Sequence, residues 1–386
     1  MQKPFISRVV INNYKSIAHC DVQLGALQFL VGRNGAGKSN FLDALAFVRD
    51  VLEFNNLESA AGGLNIFHKW ERETQSNLGM KIEFNLPNGA NGVFAFNFAW
   101  EELEHVVTEE SCWIRQNGET KEYKTQNGKL LSDDPQRFPP VASDRFYLQN
   151  MSAYEAFRPL YDALRKIQIY NFVPQEIPPI DTISNLWFMS DGRNIAQVVS
   201  DLTEGAQNRV REYLQLVVPD IHDFSFCKVG GRREGREGIY LEFMHKAGGF
   251  FHENISYGTL RALCVLTALL QERQSGENNH PVLIGIEEPE NGIHARATRA
   301  LLGAMLEATN MRQVIVATHS TEMLDSEEVA SEQILPVEMG DSGTVIAPMD
   351  DITKEMLRDH LTTAGELLRQ DQLEPENLSS VSDSNK

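Results

Sequence analysis

Apolar residues along the chain follow two different spacings, and the points where one gives way to the other mark its elements. Residues 9–20 (VVINNYKSIAHC) and 28–31 (QFLV) are short, β-branched runs, which predicts strands bounding a turn. Over residues 38–52 the apolar positions are Phe41, Leu42, Leu45, Val48 and Leu52, the repeat of one helix face. Between about 79 and 125 the runs MKIEFNL, GVFAFNFAW and SCWIRQ are aromatic and β-branched with Asn-Gly between them, predicting an antiparallel insert. Residues 150–217 return to helical patterns, among them AFRPLYDALRKI and RVREYLQLV. Two strand-like runs follow, DFSFCKV and GIYLEFMHK, with a Gly/Arg loop at 228–236 between them. The last block alternates: a helix over about 258–273, the strand 282–286 (VLIGI), another helix, then the strand in QVIVATHS. VLIGI has no polar alternate position, so it is expected in a parallel sheet covered on both faces. The closing DQLEPENLSSVSDSNK is polar, which predicts a disordered tail over 371–386.

Bulk numbers narrow the class. With 386 residues, 42% hydrophobic and 23% charged, the chain can form one large α/β domain or two ordinary ones. No apolar run approaches the roughly 20 residues of a membrane span. The N-terminal MQKPFISRVVINNYKS lacks the features of a signal peptide. Cys20, Cys112, Cys227 and Cys264 form no CxxC pair, so they suggest neither zinc nor a disulfide framework, and a reducing cytoplasm is expected. A net charge of −19 argues against broad nucleic-acid affinity. The loop 228–236 is the local exception, readable as a solvated hairpin tip or as a contact for a phosphate backbone. There are no repeats, and no heptad run sustains a coiled coil.

Candidate chemistry changes the picture at four places. GRNGAGKSN (32–40) contains G-x-x-x-x-G-K-[ST] between a predicted strand and a helix, the context that gives the motif meaning. Gly32, Gly35 and Gly37 let successive N–H groups face a phosphate, Lys38 can reach its β/γ oxygens, and Ser39 can ligate Mg²⁺. A nucleoside triphosphate is the expected ligand, with Arg33, Asn34, Ala36 and Asn40 in the same cradle. VLIGI then ends on two adjacent acids. A carboxylate at the end of a buried strand is costly unless something pairs with it; in P-loop enzymes such an acid holds the Mg²⁺ shell. Glu287 is the candidate for that role and Glu288 the candidate general base. Ser256 and Gly258 head the helix before this strand and offer a second anion site, besides an ordinary helix cap. His319 ends QVIVAT beside the glutamate strand, where it can hydrogen-bond a γ-phosphate or simply pack.

Together INNYKSI (11–17), GRNGAGKSN (32–40), SYGTLRAL (256–263), IEEPENGIH (286–294) and VATHS (316–320) resemble the ABC-type ATPase heads of the RecF/SMC/Rad50 group. Softer similarity at 152–164, 190–202 and 363–375 is to stand-alone predicted AAA ATPases related to the overcoming-lysogenization-defect (OLD) proteins. The resemblance implies an α/β fold: a mostly parallel P-loop core sheet with an antiparallel β lobe and a helical lobe. It also implies a single head over 1–370, made of a P-loop segment (1–55), an antiparallel β insert (56–145), a helical and β-hairpin lobe (146–255) and a segment (256–370) with the signature helix, acidic strand and switch histidine. Two heads would sandwich two ATPs, residues 32–39 of one meeting Ser256 and Gly258 of the other. Glu288 would activate water, His319 would sense the γ-phosphate, and residues 291–294 would face across the homodimer. Gln149, in RFYLQNMSA, would complete the Mg²⁺ shell with Ser39 and Glu287. His294 is followed by alanine where the family has proline, so the next helix is expected to start differently. The segment between the head halves is too short for SMC-like arms. The stretch after His319 holds Asp350-Asp351 but no DxD, so a TOPRIM nuclease is not expected.

Three functions fit these residues. The first is an ATP-gated switch in DNA repair or anti-phage defence, working through an effector protein (a nuclease or toxin) or on DNA. The second is the nucleotide-binding subunit of an ABC transporter, against which SYGTLR stands where LSGGQ is expected. The third is a P-loop kinase, which leaves Ser256, Gly258 and the paired glutamates unexplained.

Overall fold

The computed structural model describes residues 3–376 apart from 55, 62–76, 102–103, 132–139, 182–186, 231–236, 247 and 275–279. Its contacts gather in two compact units, residues 1–167 with 328–386, and residues 168–327.

Alternation builds the first sheet. Strand β1 (Ile6–Tyr14) buries Ile6, Val9, Ile11 and Tyr14; Val9 and Ile11 alternate, and a register shift between Ile6 and Arg8 breaks the alternation before them. Asn13 and Lys15 then take positive φ (57° and 48°), and the chain turns back into β2 (Ile17–Gln23). Residues 9–20, expected as one strand, are therefore a hairpin, with Tyr14 opposite Ile17. After β3 (Leu27–Val31), buried at all five positions, come α1 (Lys38–Phe54) and α2 (Leu57–Ala61). The insert follows as β4 (Leu78–Asn85), β5 (Asn91–Glu101), β6 (Glu104–Gln116), β7 (Glu119–Gln126) and β8 (Lys129–Leu130). These join the hairpin in one seven-stranded antiparallel sheet, ordered β2-β1-β4-β5-β6-β7-β8. Phe94, Phe96 and Phe98 alternate onto one face of β5 and surround Phe146 at 5.4, 4.7 and 5.7 Å between ring centroids. Phe47 of α1 meets Phe98 edge-on at 5.6 Å, which seats the helix on the sheet. Two short helices, α3 (Leu148–Met151) and α4 (Arg158–Leu164), complete this part.

The second unit begins at Gln168, within β9 (Ile167–Tyr170), inside the region expected to be helical. Helical spacing stops at Leu164, and the Ile-Gln-Ile-Tyr run that follows has the alternation and side-chain types of a strand. Helices α5 (Ile195–Ser200) and α6 (Glu204–Val217) lead to an antiparallel sheet of β10 (Ile221–Gly230), β11 (Glu237–His245) and β12 (Gly248–Phe251). Most of the basic loop, residues 231–236, lies outside the described residues. Helix α7 (Tyr257–Leu270) is buried from Thr259 onwards, with Arg261 and Thr267 among its buried residues. Next come β13 (Leu283–Glu287), α8 (Thr298–Ala308), β14 (Gln313–Thr318) and α9 (Thr321–Leu324). β13 and β14 pair in parallel from Leu283 opposite Gln313 to Glu287 opposite Ala317. The acidic strand and the histidine strand are thus neighbours.

The chain then returns to the first unit with β15 (Ile334–Gly340), β16 (Gly343–Ile346), α10 (Asp351–Arg358) and α11 (Ala364–Arg369). β15 runs parallel to β3 and antiparallel to β16. Residues 371–376, the start of the expected tail, are held: Glu376 N–H donates to Pro348 O at 2.8 Å, and Leu373 is buried. Residues 377–386 lie outside the described residues.

Candidate functional site

The two halves of the candidate chemistry lie in different units: residues 32–40 and Gln149 in the first, Ser256, Gly258, Glu287, Glu288 and His319 in the second.

In the first unit the turn between β3 and α1 has the backbone that the motif requires. Gly35 and Gly37 take φ of +82° and +108°, conformations that L side chains rarely adopt. A Cβ on Gly37 would sit 2.1 Å from Thr344 Oγ1. A Cβ on Gly32 would sit 2.1 Å from Val337 O of β15. β15 and β16 thus press on the loop from beneath and exclude any side chain there. Thr344 Oγ1 donates to Ala36 O at 2.9 Å and lies 2.7 Å from Ser16 Oγ, which accepts from Asn40 Nδ2 at 2.5 Å. The INNYKSI hairpin turn therefore buttresses the loop, and its own Tyr14 and Lys15 tie it to α1, since both engage Asp43. Lys38 is buried, with Nζ donating to Gly32 O at 2.7 Å and Arg33 O at 3.1 Å. Ser39, Arg33, Asn34 and Gly35 are exposed along the rim. Arg33 pairs with Asp371. A glycine-built turn that opens a helix and carries an inward lysine fits a triphosphate.

Gln149 sits on α3, half-buried. The helix is held from below by Glu110, whose buried carboxylate accepts from Tyr147 N at 2.6 Å, Leu148 N at 2.7 Å and Tyr123 OH at 2.6 Å. Burial pushes the Glu110 carboxyl up to about 7, against those three hydrogen bonds, which lower it.

In the second unit the strand ends converge. Glu287 ends β13 and Glu288 follows it with φ of +45°, uncommon for a residue with a side chain. Glu288 N donates to Ala317 O at 2.8 Å, holding the turn against β14. The Glu288 carboxylate pairs with His319 Nδ1. Glu290 joins them: Glu288, Glu290 and His319 each place a ligand-type atom within 4.8 Å of the others. Burial raises the Glu290 carboxyl above its ordinary range and the Glu288 charge adds to this, opposed by the hydrogen bond from Thr318 Oγ1. Ser256 caps α7, its Oγ accepting from Thr259 N at 3.2 Å. Ser256 and Tyr257 are exposed at that helix terminus. Gly258 abuts Gly292, whose carbonyl oxygen would lie 1.9 Å from an added Cβ. Residues 291–294 form the turn after the acids, and a short 3₁₀ turn, Ala295–Ala297, precedes α8 where proline was missing.

Sequence reasoning passed over Glu290, Thr318, Arg261 and Thr344. Glu290 is the third acid of the IEEPEN run and could have been found from it. Thr344 lies in a stretch without any motif. Oxygen donors on Ser39, Glu287 and Gln149 have the chemistry that Mg²⁺ takes.

A family model described as "AAA domain, putative AbiEii toxin, Type IV TA system" matches residues 27–325. No curated protein matches the chain. Among solved structures, the chain is similar to an SmcHead bound to the C-winged helix domain of ScpA, at 15% identity and a TM-score of 0.51, over 91% of this chain and 99% of that one. It is also similar to an Smc head domain with an extended coiled coil, bound to the C-terminal domain of ScpA, from Pyrococcus furiosus. There the identity is 13% and the TM-score 0.52, over 93% of this chain and 100% of that one. At such identities the likeness speaks to fold: an α/β arrangement of mixed sheets and helices shared with SMC heads.

Proposed function

The chain belongs to the AAA-domain family whose model spans residues 27–325, and on that footing we propose that it is an ATP-hydrolysing head that closes as a homodimer around two ATPs. The observation that carries this reading is the glycine turn at 32–39, shaped by Thr344 and Val337 and opening α1. Backbone N–H groups there, with Lys38, bind the phosphates. Ser39, Glu287 and Gln149 would hold Mg²⁺, which would supply positive charge to the triphosphate. Glu288 accepts the proton of the attacking water, whose oxygen bonds to the γ-phosphorus as ADP leaves. His319, paired with Glu288, exchanges that partner for the γ-phosphate, which releases the carboxylate to the water. Ser256 and Gly258, at an exposed helix terminus, close on the nucleotide of the second copy. Residues 1–370 act together as one head.

The state of the dimer is read by an effector, a nuclease or toxin, in defence or in DNA repair in the cytoplasm. The family description, which names a toxin of a toxin–antitoxin system, favours defence. So does a net charge of −19, which suits protein contacts better than DNA tracking. The comparisons give the transporter alternative no support, and among the described residues no helix is long and apolar enough to cross a membrane.

Glu288→Gln tests the reading. It should bind ATP as the wild type does, lose turnover by at least ~100-fold, and accumulate a dimer that requires ATP. Turnover at the wild-type rate would remove Glu288 from the role of base.

A further inference from the structure

Arg261 lies five residues into the helix headed by Ser256, and its guanidinium is buried. Among the described residues no carboxylate pairs with it. It donates instead to three backbone carbonyls: Nη1 to Phe172 O at 2.6 Å, Nη2 to Glu287 O at 2.9 Å and Nε to Glu288 O at 3.0 Å. Two of these belong to the residues on either side of the β13 exit, where Glu288 holds its left-handed φ of +45°. Removing a buried cation from water without a counter-ion is costly, so its placement on this turn calls for an explanation. Burial does lower the Arg261 pKa, while Cys264, then Glu290, Glu288 and Glu287 act in the opposite direction and favour the charged form.

A second contact reinforces the first. Gly258 meets Gly292 backbone to backbone, with no room for a Cβ between them. The first turns of α7 are therefore fastened at both ends of the 287–292 turn, to its start by Arg261 and to its end by Gly258. Arg261 holds the helix to the start of the turn by hydrogen bonds, and Gly258 packs against its end.

We infer that Arg261 is a positioning residue that sets the Glu288 turn according to what the N-terminus of α7 engages. This rests on the reading that Ser256 and Gly258 meet the nucleotide of the opposite copy while Glu288 serves the nucleotide of its own. Under that arrangement one chain's α7 belongs to one ATP and its Glu288 to the other. Arg261 then couples the two sites, so that closing one aligns the base of its neighbour. A planar guanidinium with donors on three of its nitrogens can hold three carbonyls at once, whereas a lysine ammonium cannot reproduce that fork.

The test compares wild type, Arg261→Gln and Arg261→Lys by three readouts: fluorescent-ATP affinity, turnover against ATP concentration, and amide exchange over residues 287–292. Both variants should bind ATP within about twofold of wild type, because the P-loop is untouched. Turnover should fall at least about tenfold in Arg261→Gln through misplacement of the base, and less in Arg261→Lys. The Hill coefficient for ATP should fall towards one in both. Exchange at 287–292 should rise while the β14 amides, 313–318, stay protected. Unchanged kcat and Hill coefficient in a folded Arg261→Gln would overturn the inference. If Arg261→Gln does not fold, an unchanged kcat and Hill coefficient in Arg261→Lys overturn it instead. If the wild type itself has no turnover, the proposed function falls separately, and unchanged exchange at 287–292 in either variant overturns the coupling by itself.

Discussion

Single residues decide whether the loop at 32–39 can form at all. Gly37 combines a φ of +108° with Thr344 Oγ1 at 2.1 Å from where a Cβ would be, whereas Gly35 has a positive φ but open space around it. Gly35→Ala should therefore carry backbone strain alone, of about 1–3 kcal/mol. Gly37→Ala adds a clash that must displace Thr344 and with it the contact to Ala36 O. Thermal melts should place Gly37→Ala clearly below Gly35→Ala, with ATP affinity reduced more than tenfold; equal melting points would show that Thr344 does not back the loop. The glycine pattern itself was legible in the sequence, because positive φ and close approach are what glycine permits. Which atoms come close was not. Ala36 and Thr344 are 308 positions apart, and no local spacing announces such a pair. Glu290 was legible as an acid in IEEPEN, but its link to Thr318 and Glu288 depends on two strands lying side by side.

At the scale of elements, α1 emerged where its apolar spacing predicted a helix, and β13 and β14 emerged from unbroken apolar runs bounded by polar residues. Short elements escaped: β9 is four residues long and α3 also four, too short for periodicity to speak. α3 depends on tertiary support, since a helix of one turn cannot sustain itself. Glu110 supplies that support from β6, accepting two backbone N–H groups at the start of the helix. Glu110→Gln offers one acceptor where two oxygens served, leaving a buried donor unmatched, and should destabilise the chain by about 1–3 kcal/mol. The pH dependence has a definite sign. Because burial raises the Glu110 carboxyl from the ordinary 4.5 to about 7, its contribution is full below about 4.5 and is lost as pH rises through about 7. Urea denaturation should then find the gap between wild type and Glu110→Gln narrower at pH 8 than at pH 4.5. A gap that widens over that interval would mean that the three hydrogen bonds outweigh burial.

For the whole molecule, the composite-site reading predicts that two dead variants rescue each other. Lys38→Met should fail to bind ATP productively, and Ser256→Arg should bind ATP yet not turn over. Mixed, they form dimers in which one site has an intact loop and an intact Ser256, so ATPase activity should return in part. It should stay at least about tenfold below wild type, because the Glu288 of that site belongs to the chain whose own α7 terminus is blocked. A mixture as inactive as its components would mean either that each chain works alone or that one site cannot turn over unless the other closes, and Arg261→Gln placed in the Ser256→Arg chain separates the two. What the sequence by itself determined is whatever is written in one dimension: the glycine loop ahead of a helix, the apolar strand ending on Glu287 and Glu288, the capped helix at Ser256, the histidine after QVIVAT. Backbone conformation and periodic burial depend on neighbours within a few positions, so a linear reading reaches them. Only the tertiary structure decided that β15 and β16 lie under the loop, that Glu290 joins Glu288 and His319, and that Arg261 spans the carbonyls of Phe172, Glu287 and Glu288. Those contacts arise from packing between segments far apart in the chain, where the partner is chosen by shape and by the need to satisfy buried polar groups.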